Sequence, residues 1–398
     1  MPGRVALARS AETYVMALLN ELRAAVDWMG WYVLPFIFVM SVIVFFHELG
    51  HYLVGRWCGV KIDAFSLGFG PELYARVDKA GTRWRIAAFP LGGYVKFHGD
   101  ANAASAPNLA GVEAMAPGER ALTLAGQPVR KRAAIVAAGP VANFILAFVI
   151  FTALFMIFGR FEHTARIGAV EAGSPAAQAG FLAGDLVTSI NGEPVETFQD
   201  LQQATMLSTG LPMTFVVERA AGEARLTATP QIAVVDQGPL GKRRMGHLGL
   251  VSSRDPEDVK FEHCAAPTCA VWAGEQVWFI VKATGAYVGG LFAGRESADN
   301  LSGPIAVSQI AGEMAKISPW QLFNLAALFS VSVGLMNLLP IPLLDGGHLL
   351  FYALEALRGR PLSERVQQIG LRVGIAFVAL LMIFTTSHDI LRLVGGGN

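Results

Sequence analysis

Sixteen residues without a charge, Trp31 to Phe46, run directly into His47-Glu48-Leu49-Gly50-His51. The run reads as the body of a membrane-spanning helix, where an ionisable group costs about 2.5–3.5 kcal/mol on insertion scales. Such groups mark function by default. On a helix, positions i and i+4 share a face, so His47 and His51 can present two imidazoles to one metal ion with Glu48 beside them. His-Glu-x-x-His is the pattern of zinc-assisted hydrolysis, in which the glutamate serves as general base for the attacking water. The plain alternative is a chance pair of histidines on a buried helix, and the apolar setting weighs against it.

Composition agrees with a membrane protein. Of 398 residues, 53% are hydrophobic and only 16% charged, so much of the surface is expected to face lipid. Net charge is zero and no basic patch with interleaved aromatics occurs, which argues against nucleic acid as a partner. Four stretches are long and apolar enough to span, roughly 31–55, 133–158, 320–343 and 370–391. Arg56, Lys61 and the run Arg130-Lys131-Arg132 flank the segment 56–132, and Arg358, Arg360 and Arg365 lie between the last two spans. By the positive-inside rule these segments are cytoplasmic, and 159–319 and both termini lie outside. Residues 266–294 are apolar but carry Glu275 and Lys282. They are expected to be helical and interfacial, because a fifth crossing would put the inner ends of spans one and three on opposite sides.

Residues 62–98 read as a small cytoplasmic-side β element turning at Asp78-Lys79-Ala80-Gly81, and 101–118 as a loop. Residues 165–254 read as a separate α+β unit. Its expected strands are 167–170 and 186–190, its helices 175–180 and 198–207, with a tight turn at Asn191-Gly192 and a hairpin of 213–219 with 224–229. Residues 1–30 carry six charges and no small-residue cleavage site, so they form an N-terminal extension rather than a signal peptide, with an amphipathic pattern over Tyr14–Val26. Three cysteines, Cys58, Cys264 and Cys269, exclude a disulfide scaffold. Cys264 and Cys269 could pair if their segment lies in an oxidising compartment, but two ordinary free thiols are the expectation.

A catalytic zinc usually takes three protein ligands and a water. A metzincin-type third histidine is absent, since Val54 and Trp57 stand where its glycine and histidine would be, and Glu72 falls in the β element. Asp345 is the better candidate. It follows about 25 uncharged residues in Asn337-Leu-Leu-Pro340-Ile-Pro342-Leu-Leu-Asp345-Gly346-Gly347-His348, where two prolines break the third span. His348 is the alternative third ligand or a partner to one.

With HELGH in the first span and Asn337 to Gly347 matching N-x-x-P-x-P-x-x-D-G, the chain resembles the site-2 protease family of intramembrane zinc metalloproteases, in its bacterial RseP-like branch. Gly139-Pro140-Val141-Ala142-Asn143 and Ser302-Gly303-Pro304-Ile305 also look like family segments, and the resemblance runs from about 31 to 392. It implies one Zn²⁺ held by His47, His51 and Asp345, with Glu48 as base. It also implies a substrate-binding role for Asn337, while the β element with Gly92 and Gly93 would hold an unwound substrate by strand addition.

The 165–254 unit is similar to a PDZ domain through Gly173-Ser174-Pro175-Ala176 and Ala179 to Asp185, with Gly246, Leu248, Gly249 and Leu250 as the loop for a peptide C-terminus. The expected architecture is a polytopic α-helical membrane protein of about four transmembrane helices, with a small β element inside and one PDZ-like domain outside. Its parts are the extension 1–30, a first membrane half 31–158, the PDZ-like domain 165–254, a connector 255–319 and a second membrane half 320–398. The expected setting is a bacterial inner membrane, with the active site near the cytoplasmic side, a periplasmic PDZ-like domain gating access, and substrates that are transmembrane proteins already cut once outside. A catalytically silent scaffold would tolerate loss of Glu48, which is retained, and a transporter would show an internal repeat, which is not seen. A serine protease lacks its Gly-x-Ser-x-Gly pattern.

Overall fold

The computed structural model describes residues 16, 19–20, 23, 26–100, 111–112, 114–208, 210–219, 222–236, 242–294, 298 and 301–395. Within the amphipathic stretch 14–26 the described positions 16, 19–20, 23 and 26 are helical, while most of the 101–118 loop lies outside the described residues; within the latter, Pro117–Arg120 forms a helical turn. In chain order the elements begin with α1 (Leu34–Trp57), β1 (Ile62–Val77), β2 (Arg83–Phe97) and α2 (Val129–Phe158). There follow β3 (Arg160–His163), β4 (Ile167–Val170), α3 (Pro175–Ala179), β5 (Leu186–Ile190), β6 (Glu193–Pro194), α4 (Phe198–Leu207), β7 (Met213–Arg219) and β8 (Gly222–Ala228). The chain continues through β9 (Gln231–Asp236), β10 (Lys242–His247), β11 (Leu250–Ser252), β12 (Val259–Glu262) and α5 (Ala266–Phe292). It ends with α6 (Pro304–Ile317), α7 (Pro319–Asn337), α8 (Asp345–Arg358) and α9 (Glu364–Gly395).

Among the described residues four helices are long and apolar enough to cross a membrane: Val26–Trp57, Val129–Phe158, Pro319–Asn337 and Arg365–Leu391. α5, with Glu275 and Lys282, is helical as expected and is not among them. The third span stops at Asn337 rather than 343. Pro340 and Pro342 lack the amide a helix needs and bias the residues before them toward extended backbone. The amides of Leu338 and Leu339 accordingly bond only three residues back, to Leu335 and Met336.

The chain divides into two compact units. The first comprises Met1–Gly139, Ser302–Ala326 and Pro340–Asn398. In it β1 and β2 fold onto α1 around a core of Val60, Ile62, Phe65, Val95, Phe97 and Ile135. The first half of β1 has partners on both edges: Phe65 lies opposite Val95 on one side and Trp84 on the other. The segment 93–97 is therefore an outer strand, and among the described residues its other edge has no strand partner. The Phe65 ring stacks on Trp84 at 4.3 Å, with Tyr52 of α1 against both. The turn is drawn to the same helix by Asp78, which accepts hydrogen bonds from Trp84 Nε1 (3.0 Å) and Tyr52 Oη (3.3 Å).

Two polar ties hold the helices of this unit. Arg132 of α2 forms a two-pronged ion pair with Glu355 of α8 (3.1 and 2.5 Å), its guanidinium 4.9 Å above the Tyr352 ring. Asp389 of α9, 2% exposed, accepts the amides of Gly303, Ile305 and Ala306 at the start of α6. A buried carboxylate is well placed there, where helix N-H groups lack partners and the helix dipole is positive.

The second unit comprises Pro140–Leu301 and Ala327–Leu339. Its α+β module has the sheet order β6-β5-β7-β8, with β4 paired to β11 and β9 to β10. Its core includes Ile167, Val187, Leu201, Phe215 and Leu248. The anticipated elements at 167–170, 186–190, 198–207 and 213–219 form as read, and α4 starts with a capping box of Thr197 and Asp200. β3 and β12, which were not anticipated, pair in register from His163 opposite Val259 to Arg160 opposite Glu262.

Cys264 and Cys269 form a disulfide, contrary to the expectation of free thiols, and Cys58 remains free. The chain turns into α5 between them and brings their Cα atoms to 5.3 Å, the separation a disulfide requires.

Asp185, 1% exposed, receives both prongs of Arg219 at 2.7 and 2.8 Å and the amide of Leu182 at 2.9 Å. Removing one partner strands the other's charge. Asp185→Ala is expected to destabilise the module by about 3 kcal/mol, read in the full-length protein as faster amide exchange across β5 and β7; unchanged exchange would contradict this.

Candidate metal centre

α1 is free of charge from Leu34 to Phe46 and stays helical through the motif, so the helical repeat puts His47 and His51 on one face, one turn apart. Asp345 arrives from the opposite end of the chain. The broken stretch after α7 reverses direction, and Leu344 sits in extended conformation so that Asp345 opens α8. His47 Nε2 lies 3.1 Å from Asp345 Oδ2, His51 Nε2 lies 3.5 Å from Asp345 Oδ1, and the two Nε2 atoms are 3.2 Å apart. Among the described residues these three side chains form the one group able to hold a metal.

The donors fit zinc. Ligands about 2.0–2.1 Å from a tetrahedral zinc stand about 3.4 Å from one another, close to the spacings found. Asp345 Oδ2 is buried and makes no hydrogen bond despite its nearness to His47. His51 Nδ1 lies 2.9 Å from the Ile135 carbonyl of α2. That oxygen can only accept, so Nδ1 carries the proton and Nε2 presents its lone pair to the centre.

Glu48, the next residue on the same helix, faces β2. It accepts a hydrogen bond from the backbone of Val95, and a β-carbon at Gly93 would stand 3.1 Å from its Cγ. The outer strand thus passes directly beside the carboxylate expected to act as base. Gly92, with φ 139, turns the chain just before this passage, a conformation that suits glycine.

α2 makes the other close approach. A β-carbon at Gly139 would collide with His51 Nε2 and stand 2.9 Å from His47 Cε1. In the sequence Gly139 stands out only as part of a motif; its signal is a glycine inside an otherwise apolar helix, which usually has a packing or functional reason.

The remaining candidates fall elsewhere. Glu72 is paired with Arg83 and Arg85. His348 lies one turn into α8, outside the donor group, and burial pushes its imidazole pKa down. Asn337 ends α7 and belongs to the second unit. Gly246, Leu248, Gly249 and Leu250 line a cavity of about 200 Å³ whose other wall is α4, with Phe198, Leu201 and Thr205.

Gly139→Ala is expected to weaken zinc binding about tenfold or more, as loss of a supporting contact typically does. Metal analysis of the purified protein and chelator competition measure it, and wild-type affinity in the variant would show that α2 does not constrain the histidines.

Comparison with known proteins agrees with this chemistry. The profile of peptidase family M50 matches residues 35–381. The Agrobacterium fabrum protein named "Putative zinc metalloprotease Atu1380" is 46% identical over 379 residues, covering 95% of this chain and 100% of that one. The Caulobacter vibrioides protein named "Metalloprotease MmpA" is 39% identical over 387 residues, covering 90% and 96%. Among solved structures, the PDZ domain of an SdrC-like protein from Listeria monocytogenes is similar at 18% identity and a TM-score of 0.20, covering 23% of this chain and 90% of that domain. With a profile spanning most of its length and relatives matched nearly end to end, this chain belongs to peptidase family M50, the site-2 proteases, and is a membrane zinc metalloprotease.

Proposed function

We propose that the protein cleaves transmembrane segments of other membrane proteins within the bilayer, with His47, His51 and Asp345 as the zinc ligands and Glu48 as the general base. The observation that carries this reading is the convergence of the three donors beside Glu48 on a helix apolar enough to span. Bound zinc would polarise the scissile carbonyl and acidify the attacking water. Glu48 takes the proton from that water and returns it to the leaving amine. A helical substrate hides its carbonyls in internal hydrogen bonds, so it must unwind before attack. The outer strand 93–97 beside Glu48 would offer backbone partners to the unwound segment, with Gly92 and Gly93 keeping the approach clear of side chains. Asn337 would hydrogen-bond the substrate backbone.

The proposed setting is a bacterial inner membrane, with the metal centre toward the cytoplasm and the PDZ-like module in the periplasm. There the module would gate access, admitting substrates shortened by a first cut, and its 246–250 segment would receive a peptide C-terminus. The disulfide next to the module suits an oxidising compartment.

The test is cleavage of a single-span substrate in membranes by wild type and Glu48→Gln, with zinc measured on both. A loss of about 10²–10⁴-fold with zinc retained is expected; undiminished cleavage by the variant would move the chemistry elsewhere. Sidedness has its own readout. In intact cells a membrane-impermeant thiol reagent should label Cys264 and Cys269 only after treatment with an external reductant, and should leave Cys58 unlabelled until the membrane is opened. Labelling of Cys58 from outside would invert the proposed orientation.

A further inference from the structure

The loop that delivers Asp345 is held in a conformation its sequence disfavours. Leu343 has φ 98, a left-handed value that crowds any β-carbon. Such strain persists only where the surroundings impose it, and it gathers at functional sites.

Two glycines impose it here. A β-carbon at Gly347, in the first turn of α8, would stand 2.5 Å from the Ile341 carbonyl oxygen and 2.7 Å from Pro342 Cα. At Gly374, in the last span, it would run into the Pro342 carbonyl oxygen and stand 3.2 Å from Leu343 Cβ. Both approaches are to backbone atoms, which cannot rotate away. Gly370, one turn earlier on α9, differs: its β-carbon would meet the Phe351 ring edge at 3.0 Å and Pro342 Cβ at 3.7 Å, and a ring can shift.

We propose that Gly374 is a positioning residue for the metal. With Gly347 it clamps the strained Leu343 peptide, so that the Asp345 carboxylate already faces His47 and His51 before zinc arrives. A ligand arranged in advance binds more tightly because no loop has to be ordered on binding. The inference rests on Asp345 being a zinc ligand.

Zinc affinity by chelator competition, and the unfolding temperature of the metal-stripped protein, are measured on full-length wild type, Asp345→Ala, Gly370→Ala, Gly374→Ala and Leu343→Gly. Gly374→Ala is expected to weaken zinc about tenfold or more, while Gly370→Ala stays within about twofold of wild type. Leu343→Gly removes the left-handed strain without adding an atom, so it serves even where Gly374→Ala folds poorly. The clamp is intact in it and the clamped conformation costs less, so zinc affinity is expected at or above the wild-type value with no fall in the unfolding temperature of the stripped protein. Zinc weakened about tenfold in Leu343→Gly, or equal weakening in Gly370→Ala and Gly374→Ala, would overturn the proposal. Wild-type affinity in Asp345→Ala would instead remove the ligand assignment beneath it.

Discussion

Three donor side chains whose nearest atoms stand 3.1–3.5 Å apart, drawn from two ends of the chain, are the arrangement on which the rest of this structure depends. A carboxylate taken out of water is costly to bury, and a divalent cation held by these side chains would offset that cost. The surrounding structure then has one task, which is to keep the donors from relaxing into other hydrogen bonds. The Ile135 carbonyl fixes the His51 tautomer, Gly139 lets α2 close over both imidazoles, and the Arg132–Glu355 pair ties α8 to α2.

Hydrolysis in such a site also needs an exposed peptide, and the β element bears on that need. β1 is engaged on both edges, so the outer strand 93–97 cannot find a second partner within the element. A sheet edge without a strand partner is usually a liability, since it invites pairing with another chain. Here the outer strand passes beside Glu48, which takes a hydrogen bond from the Val95 backbone, and on the proposed reading the strand edge is the binding mode. On that reading, backbone pairing would hold a transmembrane substrate without reading its side chains.

Much of this was legible in the sequence because it is written in local patterns. His47 and His51 need only the helical repeat, the four spans need only length and hydropathy, and α4 shows its capping residues Thr197 and Asp200. Asp345 was legible because an acid that ends a long uncharged run is costly to keep there without a cation to meet it. What could not be read depends on contacts between distant segments. β3 and β12 are four-residue strands nearly a hundred positions apart, too short to carry a periodicity, and each is ordered by the other. The Cys264–Cys269 pair required knowing that the chain turns into α5 between them. Gly139 and Gly374 look in sequence like any glycine of an apolar helix, and only the atoms opposite distinguish them.

Those glycines show how the site is balanced against the helices that build it. A glycine inside a helix costs about 1 kcal/mol relative to alanine, and α2, α8 and α9 each place one where a backbone must come within reach of the donors or their loop. The strain at Leu343 adds to that cost. Side chains could have filled these contacts, but they rotate, and a donor braced by a rotating group would drift by more than a metal–ligand bond tolerates. In α8 and α9 backbone stands against backbone, and in α2 it stands against the imidazoles themselves, with no bracing side chain between. The helices are therefore less stable in themselves than their composition permits, and the metal centre is correspondingly stiff.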